Sequence, residues 1–285
     1  LRFLDCNSDA SSFLDAAFRN IARNSLLVLT TKDDPSLQAS NPEVALRHYG
    51  GHIIRTCYSK ELGIRLVLAA MARSAAKWNK AIIVVCCATF KSSFTIAVRV
   101  QKGPQHANSC LQNIRMLSHC LTCEERKFHP VDTGFPVGKV RNVTNILATE
   151  CLHGKHVVKH LGPLWAGDIF DADFIENTIK NSITDDLTTE SLLKSIFEEA
   201  RCPSKVAGES HGKRKKMDIN TPPFYFNLHK HHPKVPYQKN INKVIEELKK
   251  LGYRASRTHF DRLAVRTDAP LEKLYEVMNI ERSGE

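Results

Sequence analysis

The first part of the chain alternates between apolar runs and segments with helical spacing. Apolar runs predict strands at Leu1 to Cys6 and at Leu26 to Thr31, and apolar residues at helical spacing predict a helix from Ser11 to Arg23. A strand, a helix and a second strand of these lengths are typical of parallel pairing with a right-handed crossover. We therefore expect a βαβ unit in this part of the chain.

The same patterns continue through Val100. The spacing predicts a short helix near Glu43 to His48 and a longer helix from about Tyr58 to Trp78. Two apolar runs, Ala81 to Phe90 and Ser93 to Val100, are separated by only a polar dipeptide, which predicts an antiparallel hairpin. This order suits the second half of a doubly wound, Rossmann-like α/β sheet that ends in one antiparallel strand.

The remainder of the chain changes composition several times. The segment Cys110 to Lys159 is low in hydrophobicity and rich in Cys and His, whereas Phe170 to Ala200 returns to helical periodicity. Arg201 to Pro223 has the composition of a disordered, basic linker. A small α+β unit is predicted after it, with strand, helix, strand and helix at Phe224 to Leu228, Asn240 to Leu251, Tyr253 to Thr258 and Leu271 to Met278. Together these patterns predict four segments, 1–105, 106–200, 201–223 and 224–285.

Positive charge is concentrated toward the C-terminal end. The net charge of the 285 residues is +11, and the stretch from His211 to Arg254 carries 11 Lys or Arg against 3 Asp or Glu. The hydrophobic content of 42% is ordinary for a globular protein, and the length gives room for about two domains. A polyanion-binding face is therefore expected in the C-terminal part.

Cysteine content and hydropathy bear on the compartment. The chain has nine cysteines, an odd number, and it shows neither a signal-peptide pattern nor an apolar run approaching about 18 residues. These features favour a reducing intracellular compartment and exclude a membrane partner, and they leave the oligomeric state undetermined. Because the chain opens on an apolar run without Met, we expect it to be a fragment that lacks an N-terminal part.

Arginine and histidine are clustered near the end of the chain. The cluster directly follows the amphipathic helix that Gly252 closes, and it consists of Arg254, Arg257, His259, Arg262 and Arg266. This composition predicts a phosphate-binding face. A solvated basic surface that binds nothing specific is the alternative.

Cysteine spacing predicts a metal site in the Cys- and His-rich segment. Cys120 and Cys123 have the gap that lets two thiolates of one turn reach the same ion, and Cys151 with His153 or His156 completes a tetrahedral zinc set. Reduced, partly buried thiols without metal are the alternative.

Two strings point to a family. Ser256-Arg257-Thr258-His259-Phe260-Asp261, followed by Val265-Arg266-Thr267-Asp268-Ala269-Pro270, resembles the C-terminal signature of the tRNA guanine-N2 dimethyltransferase family. Leu161-Gly162-Pro163-Leu164-Trp165-Ala166-Gly167, with Asp171 after it, resembles the central motif of that family. The sequence at Arg47-His48-Tyr49-Gly50 and at Arg99-Val100 resembles the vertebrate-type, methyltransferase-like paralogue branch of this family. Asp168, Phe170 and Arg262 depart from the family pattern.

The resemblance implies an S-adenosylmethionine-dependent enzyme with a class I methyltransferase fold. Its implied reaction is the transfer of one or two methyl groups to N2 of guanosine 26 of a tRNA, or of a neighbouring guanosine, in a nuclear or nucleolar location. Because that amine is buried in the tRNA, the base must be flipped out of its stack. A glycine-rich cofactor loop does not occur in these 285 residues, so we expect the cofactor site to lie largely outside this chain.

The resemblance also implies a catalytic residue, Asp5. It places the Asp-Pro-Phe/Tyr-Gly motif of the family on Asp5-Cys6-Asn7-Ser8, where only the Asp matches. A carboxylate at this strand end can accept hydrogen bonds from the guanine amine and stabilise the charge that develops on nitrogen. Without the resemblance, a turn residue or a helix cap is the simpler interpretation of Asp5. A degenerate, non-catalytic tRNA-binding relative is the alternative function, and a role of the zinc and basic segments in protein assembly is a third.

Several other residues allow two interpretations. For Trp165, a packing anchor is favoured over an RNA contact. For the three histidines His229, His231 and His232, a solvated basic face is favoured over a metal site. Among Phe224, Tyr225 and Phe226 we expect two core rings and one ring free to stack on a base. The run Lys213-Arg214-Lys215-Lys216 is either a nuclear localisation signal or a solvated linker.

Overall fold

The computed structural model describes residues 1–129, 150–151, 154–182, 186–202, 222–229 and 240–278. The chain divides into two units, Leu1–Gly167 and Asp168–Glu285. Within the described ranges, no helix is both long enough and apolar enough to cross a membrane. The four segments predicted from the sequence stay a prediction, and most of the predicted linker, residues 203–221, lies outside the described ranges.

A mixed four-stranded sheet is the centre of the first unit. Its strands are β1 (Arg2–Cys6), β2 (Leu26–Thr31), β3 (Lys80–Phe90) and β4 (Ser93–Lys102), in the order β1-β2-β4-β3. β1 and β2 pair in parallel, and β4 is antiparallel to both of its neighbours. The predicted parallel pair, the hairpin and the single antiparallel strand are therefore all present, and the α/β class is confirmed.

Helices supply the rest of this core. They are α1 (Ser11–Asn20), α2 (Asp34–Leu37), α3 (Pro42–Tyr49), α4 (Ser59–Lys77) and α5 (Pro104–Leu111). α4 is buried along almost its whole length and contacts β3, which explains why its sequence is apolar on all sides. α1 ends earlier than predicted, because the backbone at Ile21 is already extended. The other predicted boundaries lie within two residues of the observed ones.

A second, smaller sheet occupies the Cys- and His-rich segment. Its antiparallel strands are β5 (Ile114–Cys120), β6 (Arg126–Phe128), β7 (Glu150–Cys151) and β8 (Gly154–Trp165), in the order β6-β5-β8-β7. The sequence did not predict these strands. Their residues are mostly half-exposed and include few apolar pairs, so the alternation that indicates a strand is weak.

The second unit contains helices and short strands. It contains α6 (Ala172–Lys180), α7 (Leu187–Arg201), β9 (Phe226–Asn227), α8 (Ile241–Lys250), β10 (Ala255–Arg257), β11 (Ala264–Thr267) and α9 (Leu271–Val277). Its three strands form an antiparallel sheet in the order β10-β11-β9. The sequence did not predict β11, because its four residues fall within the Arg- and His-rich cluster for which we expect a phosphate-binding face.

Candidate functional site

Asp5 lies at the carboxyl end of a parallel strand. It is paired in register with Thr30 of β2, and its side chain is exposed. Open α/β sheets bind ligands at the carboxyl ends of their strands, so the location fits a residue that contacts a substrate. The loop that follows β2 reaches the same edge. The Lys32 amide donates to the carbonyl of Cys6 at 3.3 Å, and the Lys32 ammonium donates to the side chain of Asn7 at 3.3 Å.

An acidic pair and a histidine line this edge beside Asp5. Asp9 and Asp33 each lie within 3.9 Å of Nδ1 of His48, the last but one residue of α3. Although burial acts to raise it, hydrogen bonds from Ser11 and Ser12 and the nearby His48 hold the pKa of Asp9 below its ordinary value. The strand ends therefore present carboxylates, an environment that favours a ligand with hydrogen-bond donors or developing positive charge.

The two internal motifs of the first unit meet in the structure. The amides of His52 and Gly162 donate to each other's carbonyls at 2.9 and 2.7 Å. A Cβ atom at Gly51 would lie 2.6 Å from the tip of the Leu66 side chain and 3.1 to 3.2 Å from the backbone of Pro163 and Gly162, so a larger residue here would force these neighbours to shift. The histidine-tyrosine-glycine string at 48–51 and the glycine-proline string at 161–167 thus form one structural junction.

A buried arginine completes that junction. Arg65 of α4 is 1% exposed, and it donates to the carbonyls of Trp165 and Gly167 at 2.8 and 2.9 Å while it pairs with Glu61. Trp165 itself is 4% exposed. This burial agrees with the packing interpretation of Trp165, and it leaves little of the ring for an RNA contact.

A candidate metal centre lies at the end of the smaller sheet. Cys120, Cys123, Cys151 and His156 each offer one ligand atom, and these four atoms lie within 4.8 Å of one another. Cys120 ends β5, Cys123 lies in the turn before β6, and the other two come from the β7–β8 hairpin. His153, the other predicted fourth ligand, lies outside the described residues.

The donors at this centre are those that zinc binds. Three thiol sulfurs and one imidazole nitrogen form a Cys₃His set, which is common in structural zinc sites. The Nδ1 atom of His156 is buried and finds no hydrogen-bond partner among the described residues. Burial acts to raise the pKa of Cys120, but backbone amides of Cys123 and Thr122 hold this pKa below its ordinary value, which favours the thiolate. The residues present therefore fit a zinc ion.

The turn that carries two of these cysteines packs on the start of α4. The hydroxyl of Tyr58 lies 2.8 Å from Nδ1 of His119, the guanidinium of Arg126 lies 4.3 Å from the centre of the Tyr58 ring, and Cys57 contacts Glu124. Burial lowers the pKa of His119 to about 4, so this imidazole is neutral at physiological pH. These contacts hold the turn, and with it the candidate metal centre, against the start of α4.

The C-terminal cluster divides into buried and exposed residues. Arg266 is fully buried, and its guanidinium binds Glu199 of α7 and the carbonyls of Pro222 and Phe224. His259 is also buried at its side chain and lies 2.6 Å from the other carboxylate oxygen of Glu199. The prediction that Arg266 and His259 contact phosphates is therefore wrong, since both side chains are held inside the fold by Glu199.

The other three predicted arginines are accessible. Arg257 and Arg262 are exposed, and Arg254 is half-buried and pairs with Asp268 at 3.0 Å. The guanidinium of Arg257 donates twice to the side chain of Asn242 at the start of α8. Whether these three bind RNA stays a prediction, but their exposure allows it.

The aromatic run of the second unit is entirely buried. Phe224, Tyr225 and Phe226 are 0%, 1% and 8% exposed, and Tyr225 stacks on Phe260. The expectation that one ring is free to stack on a base is wrong. His229 is exposed, and His231 and His232 lie outside the described residues, as do Lys213 to Lys216.

Comparisons with known proteins identify the relatives of this chain. The profile of a family described as N2,N2-dimethylguanosine tRNA methyltransferase matches residues 4–279. A bovine tRNA (guanine(27)-N(2))-dimethyltransferase is 34% identical over 96% of this chain, and a tRNA (guanine(26)-N(2))-dimethyltransferase of Methanobrevibacter smithii is 29% identical over 94%. The chain spans 43% of the first relative and 63% of the second.

A solved structure shares the fold. It is Trm1 from Pyrococcus horikoshii in complex with S-adenosyl-L-methionine, with a TM-score of 0.75 and 23% sequence identity. The likeness covers 97% of this chain and 65% of that chain. At this identity the likeness supports the fold of the described elements, and it does not assign roles to single residues.

Proposed function

The chain belongs to the N2,N2-dimethylguanosine tRNA methyltransferase family, and on that premise we propose that it acts in the methylation of guanine N2 in tRNA. The target is guanosine 26 or a neighbouring guanosine, since the relatives are named for positions 26 and 27. The observation that carries the proposal is the place of Asp5, exposed at the carboxyl end of a parallel strand, with a second carboxylate, Asp9, in the turn that follows.

The chemistry explains why a carboxylate belongs there. The lone pair of the guanine amine is delocalised into the ring, so the amine is a poor nucleophile until its hydrogens are bound by acceptors. Asp5 would accept a hydrogen bond from the amine, stabilise the positive charge that develops on nitrogen as the new N–C bond forms, and receive the released proton. The tRNA must extrude the base for this contact, because the amine is otherwise inside the tRNA core.

S-adenosyl-L-methionine supplies an activated methyl group when it is bound. We assign no residue of this chain to holding it, because the sequence contains no glycine-rich cofactor loop. Support for this cofactor comes from the family and from the complex of the Pyrococcus protein.

A methyl-transfer assay tests the role of Asp5. Full-length protein should methylate unmodified tRNA at N2 of a guanosine, and Asp5→Asn should lower the rate at saturating tRNA at least about 100-fold, since the amide cannot accept the proton. Asp15→Asn changes an exposed carboxylate of α1 and should leave the rate unchanged. Equal rates for wild type and Asp5→Asn would remove Asp5 from the mechanism. An inactive wild type that still binds tRNA would favour the non-catalytic alternative.

We also propose a structural zinc ion held by Cys120, Cys123, Cys151 and His156. Its support is the closeness of the four ligand atoms and the unpartnered Nδ1 of His156 among the described residues. The ion would join the turn after β5 to the β7–β8 hairpin. It would act on folding rather than on the methyl group.

tRNA is the proposed partner, and Arg254, Arg257 and Arg262 are the proposed phosphate contacts of the second unit. Their support is exposure together with the net charge of +11. A nuclear location stays a prediction from the basic run at 213–216, which lies outside the described residues.

A further inference from the structure

The turn behind Asp5 has no rigid residue of its own. Residues 6 to 10 read Cys-Asn-Ser-Asp-Ala and contain neither proline nor glycine. Proline would fix the backbone by its ring, and glycine would allow a tight conformation that other residues avoid. The shape of this turn must therefore be set by groups from elsewhere in the fold.

One such group is the hydroxyl of Thr31, at the end of β2. Thr31 is fully buried, and its Oγ1 donates to the carbonyl of Ser8 in the turn while it accepts from the amide of Asp33 at 3.3 Å. A single hydroxyl thus joins the turn after β1 to the loop after β2.

The second group is the hydroxyl of Tyr49, the last residue of α3. Tyr49 is 1% exposed, and its hydroxyl accepts from the amide of Ala10 at 3.3 Å and donates to the carboxylate of Asp33 at 3.1 Å. Burial raises the pKa of Tyr49 well above its ordinary value, so the hydroxyl remains a neutral donor and cannot act as a base. Thr31 and Tyr49 therefore hold the same turn at two points, in its middle at Ser8 and at its end at Ala10.

We propose that Thr31 and Tyr49 are positioning residues for methyl transfer, which fix the turn that follows Asp5 and thereby the direction of its carboxylate. This inference rests on the proposed role of Asp5. A carboxylate that must meet a flipped base tolerates little displacement, since a misplacement of about 1 Å can cost about 100-fold in rate. Neither side chain is accessible enough to touch the base, so both act through the turn.

The test compares hydroxyl deletions in full-length protein. Thr31→Val and Tyr49→Phe keep the packing volume and remove one hydroxyl each, and each should lower kcat about 10-fold or more with the KM for tRNA unchanged. Thr31→Ser restores a hydroxyl and should retain most of the wild-type rate. Thr30→Val is the matched control, because the hydroxyl of the adjacent Thr30 faces Thr95 at 3.4 Å and not the turn. A kcat near wild type for Thr31→Val and Tyr49→Phe would overturn the proposal, as would an equal loss in Thr30→Val.

A second measurement does not depend on activity. The Ala10 amide donates to Tyr49, so its hydrogen exchange should be about 3 to 10 times faster in Tyr49→Phe and unchanged in Thr30→Val. An unchanged Ala10 rate in Tyr49→Phe would show that the hydroxyl does not hold the turn and would overturn the proposal. An inactive wild type would instead overturn the proposed function, and the exchange rates would still decide whether the turn is held as described.

Discussion

A single buried carboxylate organises the second unit. Glu199 of α7 accepts hydrogen bonds from Thr258, His259 and Arg266, and both Glu199 and Arg266 are fully buried at their side chains. Burial acts to raise its pKa, but the charge of Arg266 and the contact with His259 hold the pKa of Glu199 at about 2. Three residues of the C-terminal signature are thus partners of one acid.

The first prediction concerns this acid. Glu199→Gln should lower the free energy of unfolding by about 3 to 5 kcal/mol at neutral pH, because it leaves Arg266 buried without its counter-charge. The exposed neighbour Glu198→Gln should change it by less than about 0.5 kcal/mol. Urea unfolding followed by circular dichroism measures both, and equal stability of the two variants would contradict the role of Glu199.

The same carboxylate predicts a pH dependence. Its pKa is depressed from an ordinary 4.5 to about 2 in the folded state, so its stabilisation is present above pH 4.5 and is lost as pH falls toward 2. The difference between wild type and Glu199→Gln should therefore shrink by about 2 kcal/mol between pH 6 and pH 3. A constant difference over that range would mean that ionisation of Glu199 does not stabilise the fold.

Residue type alone could not separate the buried from the exposed members of this cluster. Arg257 and Arg266 are both arginines in one short string, yet the first is exposed and the second is in the core. The partner that decides this, Glu199, is 67 positions from Arg266 in the sequence, and a local pattern carries no signal for it. The same holds for Thr31 and Tyr49, because the partners of their hydroxyls lie on other segments of the chain.

At the level of elements, predictability followed apolar content. The strands of the first sheet are marked by long apolar runs, and the parallel β1–β2 pair and the β3–β4 hairpin were predicted from them. The smaller sheet is half-exposed and short, and its strands were not. Cysteine spacing nevertheless indicated the turn between β5 and β6, because the gap that lets two thiols reach one metal ion is recognised independently of hydrophobicity.

The metal centre gives the prediction for these elements. Purified protein should carry about one zinc per chain, and His156→Ala should reduce that content to less than about half, whereas His153→Ala should retain it. Elemental analysis measures the content, and a melting temperature that falls with a chelator and recovers with zinc links it to folding. If His156→Ala retains zinc and His153→Ala loses it, the fourth ligand is His153 and not His156. A zinc-free wild type would refute the site.

At the scale of the whole molecule, the charge predicts how tRNA binding responds to salt. The net charge is +11, and each phosphate contact releases counterions on binding, so the affinity should fall steeply as salt is raised. Only exposed cations can contribute, which limits the arginines of the signature string to Arg254, Arg257 and Arg262. Arg254 shares its charge with Asp268 and is expected to contribute least of the three.

Arg257→Gln and Arg262→Gln should therefore each reduce the slope of log affinity against log salt by about 0.7 to 0.9, with the melting temperature unchanged. Arg266→Gln is the contrasting variant. It removes the buried partner of Glu199 and should lower the melting temperature, and no particular change in the salt slope is expected from it. Filter-binding titrations with full-length protein and unmodified tRNA at several salt concentrations supply the slopes. If both exposed-arginine variants keep the wild-type slope, the phosphates are held elsewhere on the protein, and the C-terminal unit loses its proposed role in binding tRNA.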